Sequence, residues 1–75
     1  MPSLELYVGF WCPYCQKVLR FMEAHGIEVP LRDIDEPANK AFLVEHGGKG
    51  QVPCLFIDGA PMYESLDIIE WLKAH

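Results

Sequence analysis

Cys12 and Cys15, with Pro13 and Tyr14 between them, are the residues whose type and spacing most directly suggest chemistry. A dithiol at this spacing exchanges with disulfides: one thiolate attacks a sulfur, and the second thiol resolves the mixed disulfide that forms. The local pattern says which cysteine attacks. Leu4 to Val8 alternates as a strand does, whereas Cys15, Val18, Leu19 and Met22 recur at i, i+3, i+4 and i+7, the period of a helix. Pro13 suits the first helical position, where an N–H would have no partner. Cys12 therefore falls at the N-cap, where free backbone N–H groups and the helix dipole favour an anion. A thiolate is such an anion, so Cys12 reads as the nucleophile. Cys15, one turn on, lies on the apolar side of the helix and reads as a protonated resolving thiol.

Metal binding is the competing use of a C-x-x-C pair. A structural zinc site takes four ligands, commonly from two such pairs. Here only Cys54 and three scattered histidines are left to complete a set. The strand-then-helix context favours redox chemistry, and no metal is expected.

The rest of the chain must position this dithiol. Its 75 residues allow one domain, 1–75, and an apolar content of 51% is enough for a single core. A formal net charge of −5 argues against general nucleic-acid binding and against docking on anionic lipid. Three cysteines are too few, and odd in number, for a secreted disulfide framework. Neither a signal peptide nor an apolar run of membrane length is seen. A soluble protein of a reducing compartment, the cytoplasm, is the expectation.

Leu4-Glu5-Leu6-Tyr7-Val8 is the first strand, with Leu4, Leu6 and Val8 on one face, and Gly9 ends it. Phe10 and Trp11 lead into the dithiol, either as its rim or as packing under the loop. The first helix runs from about Pro13 to His25 and stops at Gly26. Glu28 to Ile34 is the second strand, and Pro30 marks it as an edge. Strand, helix and strand at this distance form a right-handed βαβ unit with parallel strands. Asp35-Glu36-Pro37 opens the second helix, with Ala38, Ala41, Phe42 and Val44 as its expected buried side. Gly47 to Gly50 ends it as a flexible turn and lacks the phosphate-loop pattern. Cys54 to Ile57 is a buried strand, Asp58-Gly59 a hairpin signal, and Ala60 to Tyr63 the return, demoted to an edge by Pro61. Prolines in the second and fourth strands put both at edges, which the order 2-1-3-4 satisfies. Ser65 is the expected cap of the last helix, which turns Leu66, Ile69 and Leu72 inward, with Ile68 and Trp71 flanking that stripe or at a surface.

Along nearly its whole length the sequence resembles the glutaredoxins, within the thioredoxin fold. Three motifs in order carry the resemblance: the dithiol, Gln51-Val52-Pro53, which resembles the family's cis-proline segment, and Tyr63-Glu64-Ser65 followed by Leu66-Asp67-Ile68-Ile69. The third is similar to the N-terminal domain of glutathione S-transferases, where a Glu/Gln-Ser pair holds the γ-glutamyl end of glutathione. No helical second domain follows, so a whole transferase is not expected. The resemblance implies an α/β thioredoxin fold, a four-stranded mixed sheet of order 2-1-3-4 with three helices. It further implies glutathione as co-substrate, held by Tyr14, Val52, Pro53, Glu64, Ser65 and Lys49. The Val52 backbone would pair with the cysteinyl unit as a short added strand. Ser65 and the N–H groups of the last helix would receive the γ-glutamyl carboxylate, and Glu64 the ammonium. An ordinary helix cap is the competing reading of Glu64-Ser65.

The chain also departs from the family. Many glutaredoxins carry a basic residue shortly before the first cysteine, where this chain has Gly9, Phe10 and Trp11. The thiolate then relies more on the helix terminus, with Lys49 or Lys40 left for the glycyl carboxylate. Cys54, directly after Pro53, is expected near the active site, either as a small buried hydrophobe or as a third redox residue. The expected function is a glutathione-dependent thiol–disulfide oxidoreductase, working as a monomer on glutathionylated and disulfide-containing proteins. The alternatives are a thioredoxin-like reductant served by a flavoprotein reductase, and a dimer bridging an iron–sulfur cluster through Cys12 and glutathione. Glu64-Ser65 argues against the first and Pro13 against the second.

Overall fold

Seven elements make up the computed structural model, which describes residues 2–75. In chain order they are β1 (Leu4–Val8), α1 (Pro13–Ala24), β2 (Leu31–Asp33), α2 (Pro37–Gly47), β3 (Cys54–Ile57), β4 (Ala60–Met62) and α3 (Ser65–Ala74). The strands form one mixed sheet in the order β2-β1-β3-β4. β1 runs parallel to β2 and antiparallel to β3, and β3 antiparallel to β4. Both prolines behave as a missing N–H requires: Pro61 sits on the edge strand β4, and Pro30 lies just outside β2, its carbonyl accepting from the Leu6 N–H at 2.9 Å. Regular pairing of β2 thus begins only at Leu31, later than the sequence pattern suggests.

Alternation along the central strands divides the core between the two faces of the sheet. Leu6, Val8 and Leu55 meet Cys15, Val18 and Met22 of α1 and Ile68 and Leu72 of α3. On the other face Tyr7, Cys54 and Phe56 pack with Ile34 and Leu43 of α2. No helix among the described residues is long and apolar enough to cross a membrane.

Two helix faces differ from expectation, and helix geometry explains both. Leu43 is the buried residue of α2, while Ala38, Ala41 and Val44 are exposed. At 100° per residue, pointing Leu43 at the sheet throws Phe42 and Val44 to the flanks and Ala41 outward. Phe42 recovers contact by stacking on Tyr7, ring centroids 5.5 Å apart. In α3 the buried residues are Ser65, Ile68 and Leu72, and Leu66 faces water. Leu66 sits 200° from Ile68, so the two cannot share a face. Ser65 is also not the cap: it is the first helical residue, and Glu64 holds the N-cap position.

The glycine-rich turn after α2 is tied down. Gly48 takes the left-handed conformation at the helix end, φ 84°. Tyr63, just beyond β4, lies 2.9 Å through its hydroxyl from both the Gly47 and Lys49 carbonyls. A Cβ at Gly47 would collide with that hydroxyl. Tyr63→Phe should therefore lower the unfolding free energy by about 0.5–1.5 kcal/mol. Gly47→Ala should destabilise too, and less so when combined with Tyr63→Phe. Urea denaturation of the four proteins as a double-mutant cycle checks this; additive losses would contradict the close approach.

Candidate active site

The dithiol sits where β1 hands over to α1. Cys12 has extended backbone angles (φ −87°, ψ 125°) at the N-cap, and Pro13 opens the helix. The Cys12 N–H donates to the Gly9 carbonyl and its own carbonyl accepts from Gln16, both at 3.0 Å. Cys15 is fully buried, and the Gly9 N–H donates to its sulfur at 3.4 Å. Burial pushes the Cys15 thiol up to about 12; the Gly9 N–H opposes the rise and the neighbouring Cys12 sulfur adds to it. Cys15 is thus a protonated thiol at neutral pH, while Cys12 stands at the open end of the helix with the free N–H groups of its first turn.

Cys54 lies across the sheet from this pair, packed with Tyr7, Ile34, Leu43 and Phe56. Burial pushes its thiol up to about 11, against smaller opposing effects of Tyr63, the Met62 backbone and Lys49. It fills the core of the α2 face.

A groove of about 360 Å³ opens beside the dithiol motif. Tyr14 and Lys17 line it from α1, Gln51, Val52 and Pro53 from the segment before β3, and Glu64, Ser65 and Leu66 from the start of α3. The Val52–Pro53 bond is cis. Five of the expected glutathione residues, Tyr14, Val52, Pro53, Glu64 and Ser65, thus converge. Lys49 does not join them: its ammonium lies over the Tyr63 ring, 4.5 Å from the centroid. Lys40 is exposed on α2, against the other face of the sheet. The cation in the groove is Lys17, which the sequence reading passed over. Its signal was the i, i+3 spacing from Tyr14, which puts the two on one side of α1.

Glu64 has φ 72° and ψ 117°, a conformation that costs a residue with a side chain about 1–3 kcal/mol. Such strain concentrates at ligand-contact positions, and here it falls on the one carboxylate of the groove. A wider, shallow hollow of about 720 Å³ lies between α1 and β2. It contains no thiol, and its only charged side chains are Glu23 and Glu28.

The buried thiols make stability depend on pH. Unfolded, Cys15 and Cys54 lose their protons near the free-cysteine value of about 8.5. Folded, they keep them to about 12 and about 11. The stabilisation is complete below the unfolded value and is lost as pH rises through the folded ones. Burial also raises Tyr7 and Tyr63, which act in the same direction. The urea midpoint of the reduced protein should fall between pH ~8 and pH ~10.5, and Cys54→Ala should flatten the decline. A flat profile for the parent would contradict these burials.

Residues 11–75 match the family described as glutathione S-transferase, N-terminal domain. A probable glutaredoxin of Synechocystis sp. is 31% identical over 58 residues, which are 75% of this chain and 66% of that protein. Glutathione transferase Omega 3C from Trametes versicolor has a TM-score of 0.83 and 30% identity, covering 96% of this chain and 33% of its own. Rice GST1, solved in complex with glutathione, has a TM-score of 0.78 and 26% identity over the same shares. The chain therefore spans two thirds of the glutaredoxin at most and one third of either transferase. With the family match, the sheet order and the dithiol at the start of α1 taken together, the chain belongs to the glutathione S-transferase N-terminal domain family, as a glutaredoxin-like protein of the thioredoxin fold.

Proposed function

We propose that the chain is a glutathione-dependent thiol–disulfide oxidoreductase that reduces protein–glutathione mixed disulfides and protein disulfides. The observation that carries this reading is a dithiol with one thiol at a helix N-cap and the other inside the core, beside a groove whose groups complement a γ-glutamyl tripeptide. Glutathione has a carboxylate at each end and an ammonium at one. Ser65 and the free N–H groups of α3 suit the γ-glutamyl carboxylate, and Glu64 its ammonium. Val52 suits the cysteinyl backbone, and Lys17, rather than Lys49 or Lys40, the glycyl carboxylate. Tyr14 and Pro53 supply apolar walls.

In the monothiol route, the Cys12 thiolate attacks the glutathione sulfur of a mixed disulfide. A bond forms between Cys12 and glutathione, the original S–S bond breaks, and the protein thiolate leaves and takes up a proton. A second glutathione thiolate then attacks the Cys12-bound glutathione, releasing glutathione disulfide and regenerating the Cys12 thiolate. In the dithiol route, Cys12 attacks a protein disulfide and Cys15 resolves the mixed disulfide; two glutathiones then reduce the Cys12–Cys15 bond. Cys15 reaches this step as a thiol that must first give up its proton, consistent with a resolving rather than an attacking role. The proposed setting is the cytoplasm, where thiols are kept reduced.

Glutathione in the rice complex and the likeness to a probable glutaredoxin support the reading. The family match and the Trametes likeness favour a second one, in which the groove is the glutathione-binding part of a transferase. The products separate the two: glutathione disulfide for the first, a thioether for the second.

The test compares two mixed disulfides of one peptide, one with glutathione and one with 2-mercaptoethanol, both turned over with dithiothreitol. Ser65→Ala removes a hydrogen bond to a charged group, worth about 1.5–3 kcal/mol, or roughly tenfold or more in kcat/KM. Glu64→Gln should act similarly through the ammonium. Both should slow the glutathionylated peptide and leave the mercaptoethanol one nearly unchanged. Equal slowing of both would reduce Glu64 and Ser65 to parts of a helix start and remove the case for glutathione.

A further inference from the structure

Two large aromatic side chains face water just before the nucleophile: Phe10 is 47% exposed and Trp11 66%. Exposure alone carries little, since much of any protein surface is apolar. What sets Trp11 apart is that it is held. Its indole Nε1 donates to the Asp35 carboxylate at 3.3 Å. Asp35 is itself fixed, its backbone N–H donating to the Asp33 carboxylate at 2.9 Å. The indole also closes on Gly9, where a Cβ would come within 2.7 Å of Cε2 and 2.8 Å of Cζ2.

The loop beneath is equally constrained. The Gln16 side-chain amide donates to the Phe10 carbonyl at 2.6 Å, and the Cys12 N–H to Gly9 at 3.0 Å. An exposed side chain normally keeps its rotamer freedom, and a contact made by it must overcome that entropy. Here the bond to Asp35 and the approach to Gly9 restrict that freedom in the free protein. A restrained, water-facing aromatic on the residue that precedes the nucleophile has the properties of a binding hot spot. It is also separate from the glutathione groove, in whose lining Trp11 takes no part.

We infer that Trp11 recognises the peptide carrying the glutathionylated cysteine, by seating an aromatic or aliphatic side chain of that peptide on its indole. The inference rests on the oxidoreductase reading. In the attack by Cys12, glutathione stays bound to the protein and the peptide thiolate departs, so Trp11 contacts the leaving half of the substrate. Gly9 and Asp35 are positioning residues: one leaves room for the indole, the other orients it. Phe10 extends the apolar surface on the same loop. Substrates are thereby ranked by the side chain beside their modified cysteine, a preference that the glutathione groove alone does not supply.

Three substrates test it on the full chain with glutathione as reductant: a glutathionylated peptide with Phe beside its cysteine, the same peptide with Ser there, and the mixed disulfide of glutathione with 2-mercaptoethanol. The parent should favour the Phe peptide over the Ser peptide. Trp11→Ala should lower kcat/KM for the Phe peptide about three- to tenfold, the range of an aromatic pair, and change the other two less than about twofold. Trp11→Phe should keep most of the preference. Asp35→Ala, which frees the orientation of the indole, and Gly9→Ala, whose Cβ pushes the indole from its seat, should each lose part of it, and urea denaturation confirms that each variant folds. A parent indifferent to Phe and Ser, or an equal loss on all three substrates, would overturn the inference while leaving the oxidoreductase reading intact. Failure of the parent to turn over the mercaptoethanol mixed disulfide would overturn both.

Discussion

Packing of the first turn of α1 against the end of β1 is the constraint on which the rest depends. Cys15, Val18 and Met22 must face the sheet to complete the core, and that fixes the rotation of the helix. With the rotation fixed, Cys12 can only stand at the open end of the helix, and Tyr14 and Lys17 can only line the groove. The same packing removes Cys15 from water and places its sulfur against the Gly9 N–H. Two chemically identical side chains thereby receive different surroundings, Cys12 the N-cap of α1 and Cys15 the interior against the Gly9 N–H. The core of a small domain and the placement of its dithiol are consequences of one helix phase.

The groove draws on three separate stretches of chain, and each is held by a different device. The α1 wall follows from the helix phase. The Gln51 to Pro53 wall follows from the turn after α2, which Tyr63 ties through the Gly47 and Lys49 carbonyls. The α3 wall begins at Glu64, whose backbone is strained where the strand hairpin must turn into a helix with Ser65 already inward. A fold that tolerates such strain in a chain of 75 residues must offset it in the two-sided core.

Much of this was legible in the sequence for identifiable reasons. Pro30 and Pro61 lack the N–H that a central strand needs, so the strand order followed from two residues. The continuous run Cys54 to Ile57 marked a strand covered on both faces, as it is. The helix period after Cys12 places Cys12 at the N-cap and Cys15 on the buried face, as the structure has them. What escaped was rotation where apolar residues are spread around a helix. In α2 and α3 several phases bury comparable numbers of apolar side chains, and only tertiary contact selects Leu43 and Ile68. That Lys17 and not Lys49 lines the groove was hidden for a related reason. Lys49 is drawn to the Tyr63 ring, a contact between segments far apart in sequence. Glu64 at the N-cap was hidden because Ser is the commoner capping residue and stands next to it.

The division of labour in the dithiol is the central claim, and one measurement tests it most directly. Cys12→Ser and Cys15→Ser proteins are each incubated with a glutathionylated peptide, and the mass of the protein is read before and after adding free glutathione. The Cys15→Ser protein should gain one glutathione, lose it again to free glutathione, and continue to turn over. The Cys12→Ser protein should stay unmodified and inactive. A glutathione adduct on the Cys12→Ser protein that forms as fast as on the Cys15→Ser protein would show that burial does not separate the two thiols, and the account would fail at its base.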